Sequence, residues 1–104
     1  MYDFLLKNGT LIDPTTGMHQ LGDLAVEGSL IGAVLDSGTA VDAKRVIDVS
    51  GLLVMPGFID LHVHVYSGMT HYGVDVDPNC LGRGVTTALD AGSAGSATFP
   101  GFRN

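Results

Sequence analysis

His62 and His64 stand two residues apart in FIDLHVHVY, residues 58–66. On an extended chain, side chains at i and i+2 share one face, with Cα atoms about 6.6 Å apart from a rise of roughly 3.3 Å per residue. Two imidazoles so placed can converge on one divalent ion. Zinc takes His nitrogens at about 2.0–2.1 Å, and a His pair leaves positions for a carboxylate, another His and a water. The pKa of a water on such an ion falls from about 15.7 to roughly 7, and the ion also polarises a carbonyl. That chemistry hydrolyses amides or esters. Spacing alone does not decide the matter, because such a pair is found more often facing water on a half-exposed antiparallel strand.

The surrounding pattern supplies the elements that must hold the pair. In residues 58–66 the even positions Asp60, His62, His64 and Tyr66 are polar and the odd positions Ile59, Leu61, Val63 and Val65 are aliphatic, the alternation of a strand. Asp77-Pro78 through Gly84 offers an N-cap residue, a proline at the first helical position and a terminal glycine, which predicts a short helix. A second strand, VTTALDAG, follows from Val85. Strand, helix, strand is the βαβ unit of a parallel sheet. Before Pro56 no helical pattern occurs. Residues 2–12 read as two short strands or one bent strand about Asn8-Gly9, residues 13–17 as a reversing turn, and 23–36 as a hairpin about Glu27-Gly28-Ser29. Residues 45–55 read as a strand pair or a long strand broken at Ser50-Gly51.

Composition narrows the function classes. Five Lys and Arg against eleven Asp and Glu give a net charge of −6, a surface that repels phosphate backbones and argues against nucleic-acid partners. Cys80 is the single cysteine, so a metal site here must use His and carboxylates. No signal-peptide pattern and no apolar run of roughly 20 residues occurs, and a soluble cytoplasmic protein without a membrane partner is expected.

PGFIDLHVH, after a small β unit and before a βαβ pattern, resembles the first barrel strand of the amidohydrolase superfamily, in which the two histidines bind metal. DFLLKNGTLIDPTTG, DLAVEGSLIGAV and RVIDVSGLLVMPGFIDLHVHVYSG resemble dihydroorotase-like and D-aminoacylase-like cyclic amidohydrolases. VYSGMTHYGVDVDP and GVTTALDAGSAG are similar to the amidohydrolase/deacetylase branch. The resemblance implies an α/β protein: residues 1–55 form part of a small, composite β-sandwich, and residues 56–104 start a (β/α)8 TIM-type barrel. One or two divalent ions, zinc foremost, are the implied cofactor. The implied full-length parent is a homo-oligomeric enzyme acting on a small-molecule amide or ester. Dihydroorotases resemble HxHxR, with the Arg holding a substrate carboxylate; Tyr66 stands at that position here, so that activity is not expected.

A full barrel takes about 250 residues, and the 48 residues after Pro56 hold roughly one or two of its βα units. The chain is therefore expected to be an N-terminal fragment, inactive by itself. The resemblance assigns a bridging carboxylated Lys, two further His and a catalytic Asp to later strands, which leaves no catalytic residue in this stretch. His62 and His64 are the metal candidates. Tyr66, next on the same face toward the barrel mouth, and His71 in the following loop are the substrate-side candidates. Asp60, one step below His62, and Asp90, ending the second strand, are candidates to support the ligands from behind, although Asp60 can equally bond backbone and Asp90 can simply cap its loop. Tyr72 and His19 read as surface groups. The rival to an enzyme is a catalytically silent oligomeric scaffold. Such scaffolds commonly lose the metal histidines, and both are present here.

Overall fold

Strand β1 (Tyr2–Asp13) is the spine of the first half of the chain. It pairs antiparallel with β2 (Met18–Glu27) from Asp13 opposite Met18 to Phe4 opposite Val26. The reversal falls on residues 14–17, as the turn chemistry implied, and the Asp13 carboxylate accepts both the backbone N–H and the hydroxyl of Thr15. Asn8-Gly9 does not turn the chain. Asn8 takes the positive φ it favours, 64°, inside one bent strand whose register against β2 shifts between Leu6 and Gly9. Gly9 is required by packing: a Cβ there would lie 2.7 Å from a Val54 methyl. β2 starts five residues before the hairpin read from the sequence, then pairs antiparallel with β3 (Leu30–Asp36) across Gly28-Ser29.

On its other edge β1 pairs in parallel with β4 (Ala43–Asp48) and with β5 (Leu53–Val54), a strand interrupted where Ser50-Gly51 stands. The sheet order is β3-β2-β1-β4, with β5 also on β1. Leu5, Leu11 and Ala25 are buried against it, each leucine contributing about 2 kcal/mol by burial. Asp23 is fully buried as well, accepting the Asn8 N–H at 2.8 Å and the Gly38 N–H at 3.1 Å.

This sheet belongs to one of two compact units, Met1–Pro56 and Gly57–Asn104; the computed structural model describes residues 1–103. In the second unit β6 (Phe58–Val63) and β7 (Val85–Asp90) pair in parallel. Between them come α1 (Val76–Asn79) and a 3-10 turn (Leu81–Arg83). The helix is N-capped at Asp75 and not at Asp77, so Pro78 is its third residue. Proline is tolerated there because first-turn N–H groups lack helical partners anyway. Gly84 closes the 3-10 turn with φ 89°. β6 ends at Val63, earlier than the alternation suggested: beyond the bond from the Ala91 N–H to the Val63 carbonyl, the Val65 N–H is taken by the Asp90 carboxylate in place of a backbone carbonyl. A helix not expected from the sequence, α2 (Phe99–Arg103), follows. Parallel pairing across a short helix is what the described residues show of an α/β arrangement. No helix among them is long and apolar enough to cross a membrane.

Candidate metal centre

The end of β6 and the loop after β7 form the site. His62 is exposed on β6 and His64 is half-buried one residue past the strand, their ring centroids 5.6 Å apart and nearly perpendicular. The His64 Nδ1 lies 2.9 Å from the hydroxyl of Ser93, a residue only 8% exposed. With Nδ1 engaged, Nε2 is the nitrogen left for an ion, the arrangement by which metal-binding imidazoles are usually oriented. Tyr72 packs its ring edge-on to His64 at 4.6 Å, and His71 makes a second edge-on contact with Tyr72 at 4.8 Å.

Asp90 anchors this corner. One carboxylate oxygen accepts the Val65 N–H at 2.9 Å; the other accepts the N–H groups of Gly92 at 3.0 Å and Ser93 at 2.7 Å. Burial alone pushes its pKa up. The bonds from the Ser93 and Val65 backbones, the Ser93 hydroxyl and the Gly92 backbone outweigh that and bring it down to about 2. Gly92 makes the geometry possible, since its φ of 109° is a turn that residues with a Cβ rarely take.

The other sequence candidates fall in different places. Asp60 accepts the backbone N–H of His62 at 3.0 Å, the backbone role left open for it. Tyr66 donates its hydroxyl to the Thr98 carbonyl at 3.1 Å and lays its ring on Phe102 at 5.0 Å. His71 packs edge-on to Tyr72, which in turn packs against His64. Among the described residues no third His, Cys, Asp or Glu gathers with His62 and His64. The two nitrogens fit a divalent ion as a partial ligand set, with the remainder to come from other residues. Sequence reasoning passed over Ser93 and read Tyr72 as a surface group; Tyr72 is exposed and also packs against His64. The one signal for Ser93 was its place in DAGSAG, three residues after the carboxylate at the end of a strand parallel to the histidine strand.

No family model matches the chain. Among curated relatives, adenine deaminase 2 of Rhizobium meliloti is 40% identical over 91 residues, covering 85% of this chain and 15% of the relative. A deacetylase of Agrobacterium fabrum is 43% identical over 82 residues, covering 79% of this chain and 18% of the relative. Among solved structures, a dihydroorotase superposes with a TM-score of 0.81 at 35% identity, covering 96% of this chain and 26% of that one. A D-aminoacylase described as having a binuclear metal center superposes with a TM-score of 0.65 at 42% identity, covering 85% of this chain and 18% of that one. The chain thus spans 15% to 18% of the length of these two curated relatives.

Proposed function

This chain belongs to the amidohydrolase superfamily, and from that membership we propose that its full-length protein is a metal-dependent hydrolase of amide or ester bonds in small molecules. The observation carrying the proposal is the pair His62 and His64, with His64 turned by Ser93 so that Nε2 is free. When bound, a divalent ion, zinc in this proposal, supplies Lewis acidity and lowers the pKa of a water to about 7. The residues of this chain do the holding. His62 and His64 offer nitrogen ligands, Asp90 fixes the backbone just after His64, and Tyr72 blocks one side of the His64 ring.

A (β/α)8 barrel with β6, α1 and β7 as its first unit is part of the same proposal. The parallel pairing supports it, and so do Ile59 and Leu61 of β6 and Leu89 of β7, which are exposed although parallel strands are ordinarily covered on both faces. Residues 56–104 then start the barrel, and residues 1–55 are part of the accompanying β domain. Tyr66 and His71 lie on the substrate side. With Tyr66 where dihydroorotases have an arginine, a linear acyl amide fits better than a dihydroorotate-like anion, because a phenol lacks the paired, charged donors of guanidinium. Elemental analysis of the full-length protein tests the metal. We expect about one or two divalent ions per chain in the wild type and strong loss in His62→Ala/His64→Ala. Equal metal content in the two would overturn the assignment.

A further inference from the structure

We propose that Ser93 is a positioning residue for the metal centre, its hydroxyl holding Nδ1 of His64 from a loop that the Asp90 carboxylate anchors, so that His64 presents Nε2 as the ligand atom. The inference rests on the reading of His62 and His64 as ligands and adds a residue that the histidine motif does not contain. Three observations carry it. The Ser93 hydroxyl is 2.9 Å from His64 Nδ1, across 29 residues of chain, in a position almost closed to solvent. Asp90 accepts the backbone N–H of Ser93 and that of Val65, which ties the loop carrying the serine to the residue next to the histidine. The positive φ of Gly92 then turns Ser93 back toward His64.

The direction of the bond in the metal-bound form follows from donor and acceptor chemistry. A hydroxyl has one proton to give and lone pairs to receive. An imidazole that offers its Nε2 lone pair to an ion carries its proton on Nδ1, and the Ser93 oxygen, 2.9 Å away, is placed to receive that proton. The bond then favours the Nδ1–H tautomer, with Nε2 toward the ion. Tyr72, edge-on at 4.6 Å, opposes rotation of the ring out of that arrangement. A hydroxyl oxygen at Nδ1 takes the place of the carboxylate, carbonyl or water that ordinarily orients a metal-binding imidazole.

The test uses the full-length protein, zinc competition against a chelator, and imidazole 15N chemical shifts of the zinc-free form. Ser93→Val removes the hydroxyl at nearly the volume of Ser93→Thr, which keeps it, so the pair separates hydrogen bonding from packing. We expect Ser93→Val to weaken zinc binding by about 10-fold or more and to move His64 off the Nδ1–H tautomer, while Ser93→Thr retains both properties. Zinc affinity of Ser93→Val within about twofold of wild type, with the tautomer unchanged, would overturn the inference alone. Should His62→Ala/His64→Ala bind zinc as the wild type does, the ligand reading falls and this inference with it.

Discussion

Each half of the chain contains an aspartate that gathers backbone N–H groups, and the two do different work. In the β unit Asp23 is wholly buried and ties the bulge at Asn8 to the loop at Gly38, two points of one sheet that is already paired on both sides. In the second unit Asp90 joins the backbone beyond His64 to the loop of Gly92 and Ser93, and the strands beside it leave Ile59, Leu61 and Leu89 exposed. The first carboxylate completes a scaffold. In the proposed metal centre the second holds the loop that aims His64. The two are distinguished by what lies beyond their bonds, and the loop that Asp90 holds carries the Ser93 hydroxyl, 2.9 Å from an imidazole.

Removing the first should have the largest effect on stability. Asp23→Ala removes the buried carboxylate that accepts the N–H groups of half-buried Asn8 and exposed Gly38, bonds to a charged group worth about 1.5–3 kcal/mol each. We expect the full-length protein to lose at least about 2 kcal/mol by urea denaturation while keeping its metal. Metal loss without destabilisation would erase the distinction between the two aspartates.

A smaller, pH-dependent effect belongs to the second. The folded pKa of Asp90 lies below its ordinary value of 3.8, so the stability it contributes is present above about pH 4 and disappears as pH falls toward 2. Asp90→Asn cannot titrate. The stability gap between wild type and Asp90→Asn should therefore shrink across that window, by up to about 2 kcal/mol before allowance for partial exposure. A gap constant from pH 6 to 2, followed by urea midpoints, would show that Asp90 keeps an ordinary pKa.

Legibility from sequence divides along similar lines. The strand content, the turn at residues 14–17 and the parallel pair could be read because they depend on local alternation and turn residues. Asn8-Gly9 revealed its positive φ but not its use, since bulge or turn is decided by the partner strand and by Val54. Met18 to Gly22 lack alternation and are a strand only because Gly9–Asp13 pair with them. Residues 99–103 include Pro100 and Gly101, poor helix interiors, and form a helix beside a local bond from the Gly95 N–H to the Thr98 hydroxyl. The histidine pair was readable from spacing and context. Ser93 was not, because its role depends on the direction Gly92 gives the chain.

The smallest effect expected is on the exposed rim of the β unit. Lys44 meets Asp3 at 2.6 Å with the lysine 62% exposed, and the contact lowers the Asp3 pKa, behind the backbone bond from Gly28. Exposed pairs of this kind are worth little. Lys44→Ala should leave the urea midpoint and the metal content unchanged within error, and a clear fall in the midpoint would mean that the scaffold depends on its surface as well as on Asp23.

The order of pairings in the β sheet also sets a timetable. β1, β2 and β3 are joined by turns of four and two residues, whereas β4 finds β1 with Ala43 opposite Tyr2, and β7 finds β6 with Val85 opposite Phe58. Hairpins close in about 1–10 μs, and each doubling of loop length adds about 0.6 kcal/mol to closure. At about 5–20 residues per second of synthesis, the three-strand meander has ample time to close before the histidine strand leaves the ribosome. The scaffold is then waiting when the histidine strand arrives.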